Sequence, residues 1–280
     1  MEDKPYTQYF MKEKEEKVAT QVLYRILFVM LIVFIMFFSV NYVFNQKYEY
    51  ITISGQSMQS TLNNEAVLSA IVSDGKTTYN WVQDGVYIEK TKDIDYSDII
   101  ILEKSSDKTI IKRALAFGGD YITIVKNEQG EYRLIRIKEN SNKVEVLDED
   151  YIKSYQEWSD DGQAPQDGLT PQLVYEPTFY STFFGGGYQS KQIYIESLQC
   201  NVTFFQVPEN ELFVLGDNRN HSADSRETGT ISIDNIRGKV VEIVKNGTHY
   251  KGNDFYFLNR LKGYFSLIWK EILGFFGANI

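Results

Sequence analysis

The sequence predicts a mainly β protein, in which an antiparallel β-sheet domain carries a smaller inserted domain and one N-terminal transmembrane helix. An uncharged run at residues 26–45 predicts the helix. After it, short runs of β-branched and aromatic residues alternate with clusters of Asp, Asn, Gly and Ser, which is typical of strands joined by turns. A hydrophobic content of 43% with 24% charged residues indicates a folded, globular chain.

Residues 26–45 fit the dimensions of a membrane span. They carry no charged side chain, and residues 26–38 are apolar throughout. Twenty helical residues rise about 30 Å, the thickness of a hydrocarbon core. A cleaved signal peptide would have a shorter apolar core followed by a small-x-small site, which residues 39–44 lack. A buried helix of a globular protein would have a polar face, and this run has none before Ser39.

The distribution of basic residues predicts the orientation of this span in the cell membrane. Within the thirty residues after the span, Lys47 is the one basic residue. The loop with more Lys and Arg stays in the cytoplasm, so we expect a cytoplasmic N-terminus and an extracytoplasmic domain after residue 45. The basic residues before the span are Lys4, Lys12, Lys14, Lys17 and Arg25.

A change in composition divides the extracytoplasmic part into a main domain and an inserted domain. We expect the main domain at residues 46–125 and 204–250, and an inserted domain at 126–203, where strands lead into acidic and glycine-rich, loop-like stretches. The predicted strands lie at 48–53, 66–72, 85–88, 99–102, 109–116, 121–125, 132–137, 144–147, 192–196, within 203–215, and at 238–244.

Residues 251–280 form a C-terminal segment with the pattern of an amphipathic helix. Aromatic and aliphatic residues alternate there with Arg260, Lys262, Lys270 and Glu271. Charges at its centre argue against a second span. Two arrangements stay open: a helix lying in the membrane interface, which we favour slightly, and a helix packed on the domain itself.

Charge and residue counts exclude several classes of partner and cofactor. The formal charge of −9 leaves no basic stripe for nucleic acid. One cysteine, Cys200, excludes an intrachain disulfide and a cysteine-based zinc site. Two histidines make a multi-histidine metal site improbable. We therefore expect no metal and no cofactor; the oligomeric state is left open.

Two polar residues stand out as candidates for catalysis. Ser57 follows the predicted strand 48–53 in a polar turn, where its hydroxyl can face a cleft but needs a neighbouring base. Lys112 lies inside the apolar run 109–116. Burial lowers the pKa of a lysine, and a neutral amine is a competent general base for a serine hydroxyl. The alternative is a strand lysine that reaches solvent together with Arg113.

A third stretch, residues 216–226, is dense in short polar side chains. Its Ser222 can orient a base amine, and an ion pair between Asp224 and Arg226 can hold the loop. A triad of Ser57, His221 and Asp224 is a second possibility, although the last two lie unusually close in sequence for that arrangement.

These stretches resemble the membrane-bound type I signal peptidases, which are Ser/Lys proteases. Residues 54–62 (SGQSMQSTL) look like the nucleophile box of that family, and 98–102 like the strand box that follows. Residues 111–120 (IKRALAFGGD) look like the lysine box, and 216–226 with Gly229 and 238–240 like the last box. The boxes come in family order after an anchor and cover most of residues 20–245, apart from the stretch 126–203.

The resemblance implies a role for each matching residue. Ser57 would be the nucleophile and Lys112 the general base, while Ser222 matches the serine that hydrogen-bonds the lysine. Asp224 and Arg226 match a supporting ion pair. The oxyanion hole would use the backbone N–H of Ser57.

Two positions depart from the family's pattern. Gly55 stands where some members add a serine to the oxyanion hole, so that a second donor would have to come from the backbone or from another group. Ser60 stands where proline is usual.

The implied substrates are secretory precursors that carry a signal peptide and are cut after a small-x-small site. An extended peptide would add as a strand beside residues 48–54, with apolar pockets formed by Ile53, Met58, Leu62 and Ile111. The expected partners are these precursors and membrane lipid. The related self-cleaving repressor proteases are soluble, which the span at 26–45 argues against. The alternative from another class is a catalytically idle, signal-peptidase-like assembly factor for surface or pilus proteins.

Overall fold

A computed structural model describes residues 4–63, 69–73, 76–80, 83–105, 108–126, 132–153, 155–157, 166–169, 177–247 and 255–275. The chain divides into two compact units, 1–47 and 48–280. The helices are α1 (Lys4–Lys47), α2 (Pro177–Gly185), α3 (Ser225–Thr228) and α4 (Tyr256–Phe275), with two 3₁₀ turns at Glu196–Leu198 and Ile233–Asn235. The strands are β1 (Tyr48–Thr52), β2 (Ser69–Ser73), β3 (Lys76–Asn80), β4 (Gly85–Glu89), β5 (Ile99–Ser105), β6 (Lys108–Phe117), β7 (Tyr121–Lys126), β8 (Tyr132–Ile137), β9 (Glu145–Val146), β10 (Tyr155–Glu157), β11 (Gln166–Leu169), β12 (Ser190–Ile195), β13 (Cys200–Gln206), β14 (Glu211–Leu215), β15 (Ile231–Ser232) and β16 (Ile236–Val244).

The first unit is the single helix α1. Its segment Lys17–Lys47 is long and apolar enough to cross a membrane, and none of its most apolar stretch is buried in the protein. Large apolar side chains exposed all around a helix are costly in water and are expected in lipid. The predicted N-terminal span is therefore supported, and it is helically continuous with the residues from Lys4 onwards.

The second unit is built on antiparallel sheets, which confirms the predicted fold class. A seven-stranded sheet has the order β1-β4-β16-β5-β6-β14-β15, and a five-stranded sheet the order β12-β13-β7-β8-β9. Two hairpins, β2-β3 and β10-β11, complete the described strands. The predicted limits of the inserted domain, at residues 126 and 203, fall inside β7 and β13 of the five-stranded sheet. Parts of the predicted insert and of the strand at 66–72 lie outside the described residues.

One hydrophobic cluster joins the two sheets. It contains Leu115, Phe213 and Leu215 from the seven-stranded sheet, together with Ile122, Ile124, Leu134 and Phe205 from the five-stranded sheet. Phe179 and Phe183 of α2 are fully buried in the same cluster. The two sheets therefore share a core.

The stretch expected to be rich in loops contains α2. Aromatic residues are only moderate helix formers, so local propensity gives no helix signal there. The helix is instead stabilised by burial of its phenylalanines, whose ring centroids lie 4.7 Å apart and 5.3–5.8 Å from that of Phe205. Similarly, the run 203–215 is split into β13 and β14, because Pro208 cannot donate to a ladder and Asn210 turns the chain at φ +60°.

Candidate functional site

Ser57 lies in a loop that leaves the end of β1 and is closed by Asn63. The Asn63 side-chain amide donates to the carbonyl oxygens of Ile53 (3.1 Å) and Gly55 (3.0 Å). The Asn63 N–H donates to the Asp84 carboxylate (2.8 Å), and the Asp84 N–H donates to Asn63 Oδ1 (2.7 Å). These bonds fix both ends of the loop. Gly55 has φ +97°, a conformation that glycine adopts at little cost.

Lys112 of β6 meets Ser57. Its Nζ lies 3.0 Å from Ser57 Oγ and 2.9 Å from the carbonyl oxygen of Ile111. The side chain is 4% exposed. Burial lowers the pKa of Lys112 to about 8, although the carboxylate of Asp224 acts in the opposite direction. The amine is therefore within hydrogen-bond reach of the hydroxyl, and near neutral pH it is uncharged in a fraction of the protein molecules.

The stretch after β14 forms the next wall of the site. The Asn218 N–H donates to the carbonyl oxygen of Ser57 (3.1 Å). A Cβ atom at Gly216 would overlap both Ser222 Oγ and the Ser57 carbonyl oxygen, so only glycine fits between them. Ser222 is buried beside the loop of Ser57. Its Oγ has no hydrogen-bond partner in the described structure, so the expected bond to Lys112 is not formed there.

Asp224 and Arg226 form a buried ion pair. Arg226 Nε donates to Asp224 Oδ1 (2.9 Å), and Arg226 Nη2 to Asp224 Oδ2 (3.1 Å). Asp224 Oδ2 also accepts from the Gly216 N–H (3.0 Å), and Arg226 donates to the carbonyl oxygen of Arg219 (2.9 Å). The pair thus fastens the wall on which Ser222 lies. His221, the alternative base, is exposed, and both oxygens of Asp224 accept from Arg226.

A second buried ion pair joins the strand of Lys112 to the stretch after β14, and Thr61 connects the loop of Ser57 to it. Arg113 donates to both carboxylate oxygens of Asp217, at 2.9 and 2.6 Å, and its third nitrogen donates to the Ser97 carbonyl oxygen (2.7 Å). The Thr61 hydroxyl donates to the same carboxylate at 2.5 Å. Asp217 is fully buried and Arg113 is 7% exposed, so Arg113 does not reach solvent as one reading of this strand expected.

Residues 149–153 pack over this pair. Tyr151 stacks on Arg113, whose guanidinium carbon lies 3.8 Å from the ring centroid. Arg219 donates to the Glu149 carboxylate (2.5 Å), and its side chain is fully buried. Ser60 Oγ donates to the Tyr151 carbonyl oxygen (3.1 Å) and accepts from the N–H of residue 153 (2.7 Å). The serine at this position therefore connects the loop of Ser57 to the 149–153 segment.

The four residues expected to line substrate pockets share one hydrophobic cluster. Ile53, Met58, Leu62 and Ile111 pack together with Val86, Ile88 and Ile101. All four are buried: Met58 and Leu62 are 1% exposed, and Ile53 and Ile111 are 5% and 7% exposed.

Sequence reasoning brought together Ser57, Lys112 and the 216–226 stretch but missed the groups that connect them. Asn63, Asp84 and Asp217 are buried polar residues in segments that look like ordinary turns. Their pairing partners lie far along the chain, such as the 104 residues between Arg113 and Asp217. Glu149, which pairs with Arg219, lies in the acidic run 148–150, and nothing in that run distinguishes it from a solvated turn.

Comparison with known proteins matches the sequence of this chain to a family. The family model described as signal peptidase, peptidase S26, matches residues 21–245. Signal peptidase I from two strains of Streptococcus pneumoniae, TIGR4 and R6, is 31% identical over 160 residues, or 55% of this chain and 70% of the relative. A crystal structure of a signal peptidase I from Enterococcus faecalis V583 is 18% identical, with a TM-score of 0.26, and covers 53% of this chain and 97% of that one. At that score the structural likeness carries no argument.

The family match extends over most of the chain and includes the three stretches that meet at Ser57. The protein therefore belongs to the signal peptidase family S26.

Proposed function

We propose that this protein is a membrane-bound signal peptidase I, a serine endopeptidase that removes signal peptides from secretory precursors. The observation that carries the proposal is the 3.0 Å separation of Lys112 Nζ and Ser57 Oγ at a buried site. A partly neutral amine at that distance is suited to take the hydroxyl proton. Family membership favours this reading over the idle assembly factor.

The proposed reaction has two steps that use the same amine. Lys112 takes the proton from Ser57 Oγ as the oxygen attacks the scissile carbonyl, and it then gives that proton to the leaving amine. The mature protein departs and an acyl-enzyme remains. In the second step Lys112 takes a proton from water and the hydroxide attacks the ester. The bond between Ser57 Oγ and the acyl carbon then breaks, the proton returns to Ser57 Oγ, and the signal peptide leaves with a free carboxyl group.

Stabilisation of the oxyanion is assigned to the backbone at Ser57. Within the described residues the Ser57 N–H has no hydrogen-bond acceptor, which leaves it available to a developing negative charge. Gly55 has no side-chain donor, and its φ of +97° disfavours a serine at that position. One donor of this kind is worth about 3 kcal/mol of transition-state stabilisation.

The seven-stranded sheet offers two open stretches for an extended substrate. β1, beside which the sequence predicts that the peptide adds, lies at the edge of the sheet and pairs only with β4 among the described strands. β14 pairs with β6 only between Arg113 and Phe117, so residues 108–112 have no strand partner on that side among the described strands. A peptide added there would run past Lys112, with Ile53 and Ile111 near its side chains. The two isoleucines would present it with a shallow apolar surface, which suits the alanine-sized side chains of a small-x-small site.

A processing assay tests the catalytic assignment. The full chain in detergent or vesicles should cleave a precursor that carries a signal peptide, and Ser57→Ala or Lys112→Ala should lower the rate at least about a thousandfold. Ser190→Ala and Lys143→Ala are matched controls, because both side chains are exposed and neither lies in the loop of Ser57 or on the proposed substrate edge. Unchanged cleavage by either site variant would refute the Ser/Lys mechanism.

The proposed topology places the N-terminus in the cytoplasm and the catalytic domain outside. Cys200 is the single cysteine and is exposed, so a membrane-impermeant maleimide should label it in intact cells. In a Cys200→Ser, Thr7→Cys variant, labelling should require permeabilised cells. The reverse pattern would overturn the orientation.

A further inference from the structure

Helix α4 is fixed to the catalytic domain by one face. Gly263 and Leu267 are its buried residues, and a Cβ at Gly263 would press on Val244 of β16 and on the ring of Tyr87. The Tyr87 hydroxyl donates to the carbonyl oxygen of Arg260 (3.2 Å). One face of α4 therefore packs on the domain, as one of the two arrangements left open by the sequence requires.

The opposite face of α4 is an exposed apolar stripe. Its members are spaced three or four residues apart, which puts them on one line along the helix, and each side chain is 41% to 60% exposed. They are Leu258, Leu261, Phe265, Trp269 and Ile272. A continuous stripe of large apolar side chains on a protein surface marks a site of contact with a membrane or another protein.

A contact within the second unit ties α4 to the place where the chain leaves the predicted span. The Tyr48 hydroxyl donates to the carboxylate of Glu271, near the C-terminal end of α4. Tyr48 is three residues after Asn45, the end of the predicted span, and three residues extend at most about 10 Å. This end of α4 therefore lies close to the membrane surface wherever the span crosses the bilayer.

The charges of α4 fit a helix that lies on the surface rather than one that crosses it. Arg260, Lys262, Lys270 and Glu271 interrupt its apolar sequence, and of the described helices only α1 has the composition of a span. Lys262 is exposed beside the stripe, where its amine can reach lipid phosphate while its stem stays on apolar surface.

We propose that the stripe Leu258–Ile272 of α4 lies in the interface of the lipid bilayer and docks the catalytic domain on the membrane. The domain then has two attachments, the covalent one through Tyr48 and the apolar one through α4. Two attachments restrict its rotation relative to the membrane plane, whereas a single tether does not.

Environment-sensitive fluorescence at single cysteines tests this proposal. Two full-length Cys200→Ser chains carry either Phe265→Cys in the stripe or Tyr194→Cys on β12, positions that are 60% and 55% exposed. Each is labelled with a nitrobenzoxadiazole dye and reconstituted in phosphatidylcholine–phosphatidylglycerol vesicles. A doxyl group near the lipid carbonyls should quench the dye at residue 265 about twofold, as insertion by about 5–10 Å requires, and leave the dye at residue 194 unaffected.

Two results would overturn the proposal. Quenching of the residue 265 dye by aqueous iodide, to the same degree as the residue 194 dye, would mean that the stripe faces water. Protection from both quenchers, with disulfide cross-linking between unlabelled Phe265→Cys chains, would mean that a second copy covers the stripe. Neither readout uses proteolytic activity, so the proposal stands or fails separately from the proposed function.

Discussion

The pH dependence of cleavage is the sharpest prediction from the site. Burial lowers the pKa of Lys112 to about 8, and in the proposed mechanism the amine can act as a base only when it is neutral. Roughly a tenth of the protein therefore has a neutral Lys112 at pH 7 and about nine tenths at pH 9. We expect kcat/KM to rise about tenfold between these values and to level off above them. The activity is lost as the pH falls through the pKa, because protonation removes the base.

Replacement of the amine identifies the titrating group. In a Cys200→Ser chain, Lys112→Cys alkylated with bromoethylamine restores an amine of nearly the same length whose sulfur makes it more acidic than lysine. The rising limb of the profile should move to lower pH. The same treatment of Lys143→Cys, at an exposed position away from the proposed substrate edge, should leave the profile unchanged.

Two outcomes would refute this reasoning. An alkylated Lys112→Cys enzyme with full activity and an unmoved limb would assign the titration to another group. A wild-type profile that is flat from pH 6 to 9 would mean that Lys112 is neutral, or dispensable, throughout that range. Rates should be measured as kcat/KM on a precursor, since this parameter reports the ionisation of the free enzyme.

Three further substitutions test the connections around the site. Asp217→Asn should lower the free energy of unfolding by about 3 kcal/mol in chemical denaturation, because it breaks a buried bidentate ion pair. The control Asp234→Asn, at a side chain that is 91% exposed, should leave this free energy unchanged. Gly216→Ala should abolish cleavage and lower the free energy of unfolding by about 1–3 kcal/mol, since the new methyl group would overlap the carbonyl oxygen of Ser57. The control Gly185→Ala, where a Cβ has open space, should change neither. Ser60→Ala should speed amide hydrogen exchange across residues 149–153 and cost about 1 kcal/mol, and unchanged exchange would mean that its two hydrogen bonds do not hold that segment.

The sequence was sufficient to predict features that depend on local pattern. The anchor follows from an uncharged run, and most strands follow from β-branched and aromatic residues between turn formers. Asp224 and Arg226 are two residues apart, so their ion pair could be predicted from the sequence. Ser57 and Lys112 were recognised from the residues around them, and the structure brings the two together.

Features that depend on distant partners were not predictable in the same way. The aromatic residues of α2 favour no helix until Phe205 and Phe213 bury them. Glu149 looks like part of a solvated acidic turn, yet it pairs with Arg219, which is 70 residues away. Arg113 looked like a solvent-seeking neighbour of Lys112, and only the fold provides Asp217 as its partner.

The shared core of the two sheets has a consequence for how this chain can vary. Phe213 and Leu215 lead directly into Gly216, and they rest on phenylalanines supplied by residues 179–205. A deletion of residues 126–203 would remove Leu134, Phe179 and Phe183 from the core beneath β14, the strand that leads into residues 216–226. Residues 126–203 therefore support the strand that leads into the candidate site. We expect natural or engineered shortening of this segment to be tolerated only in its exposed turns.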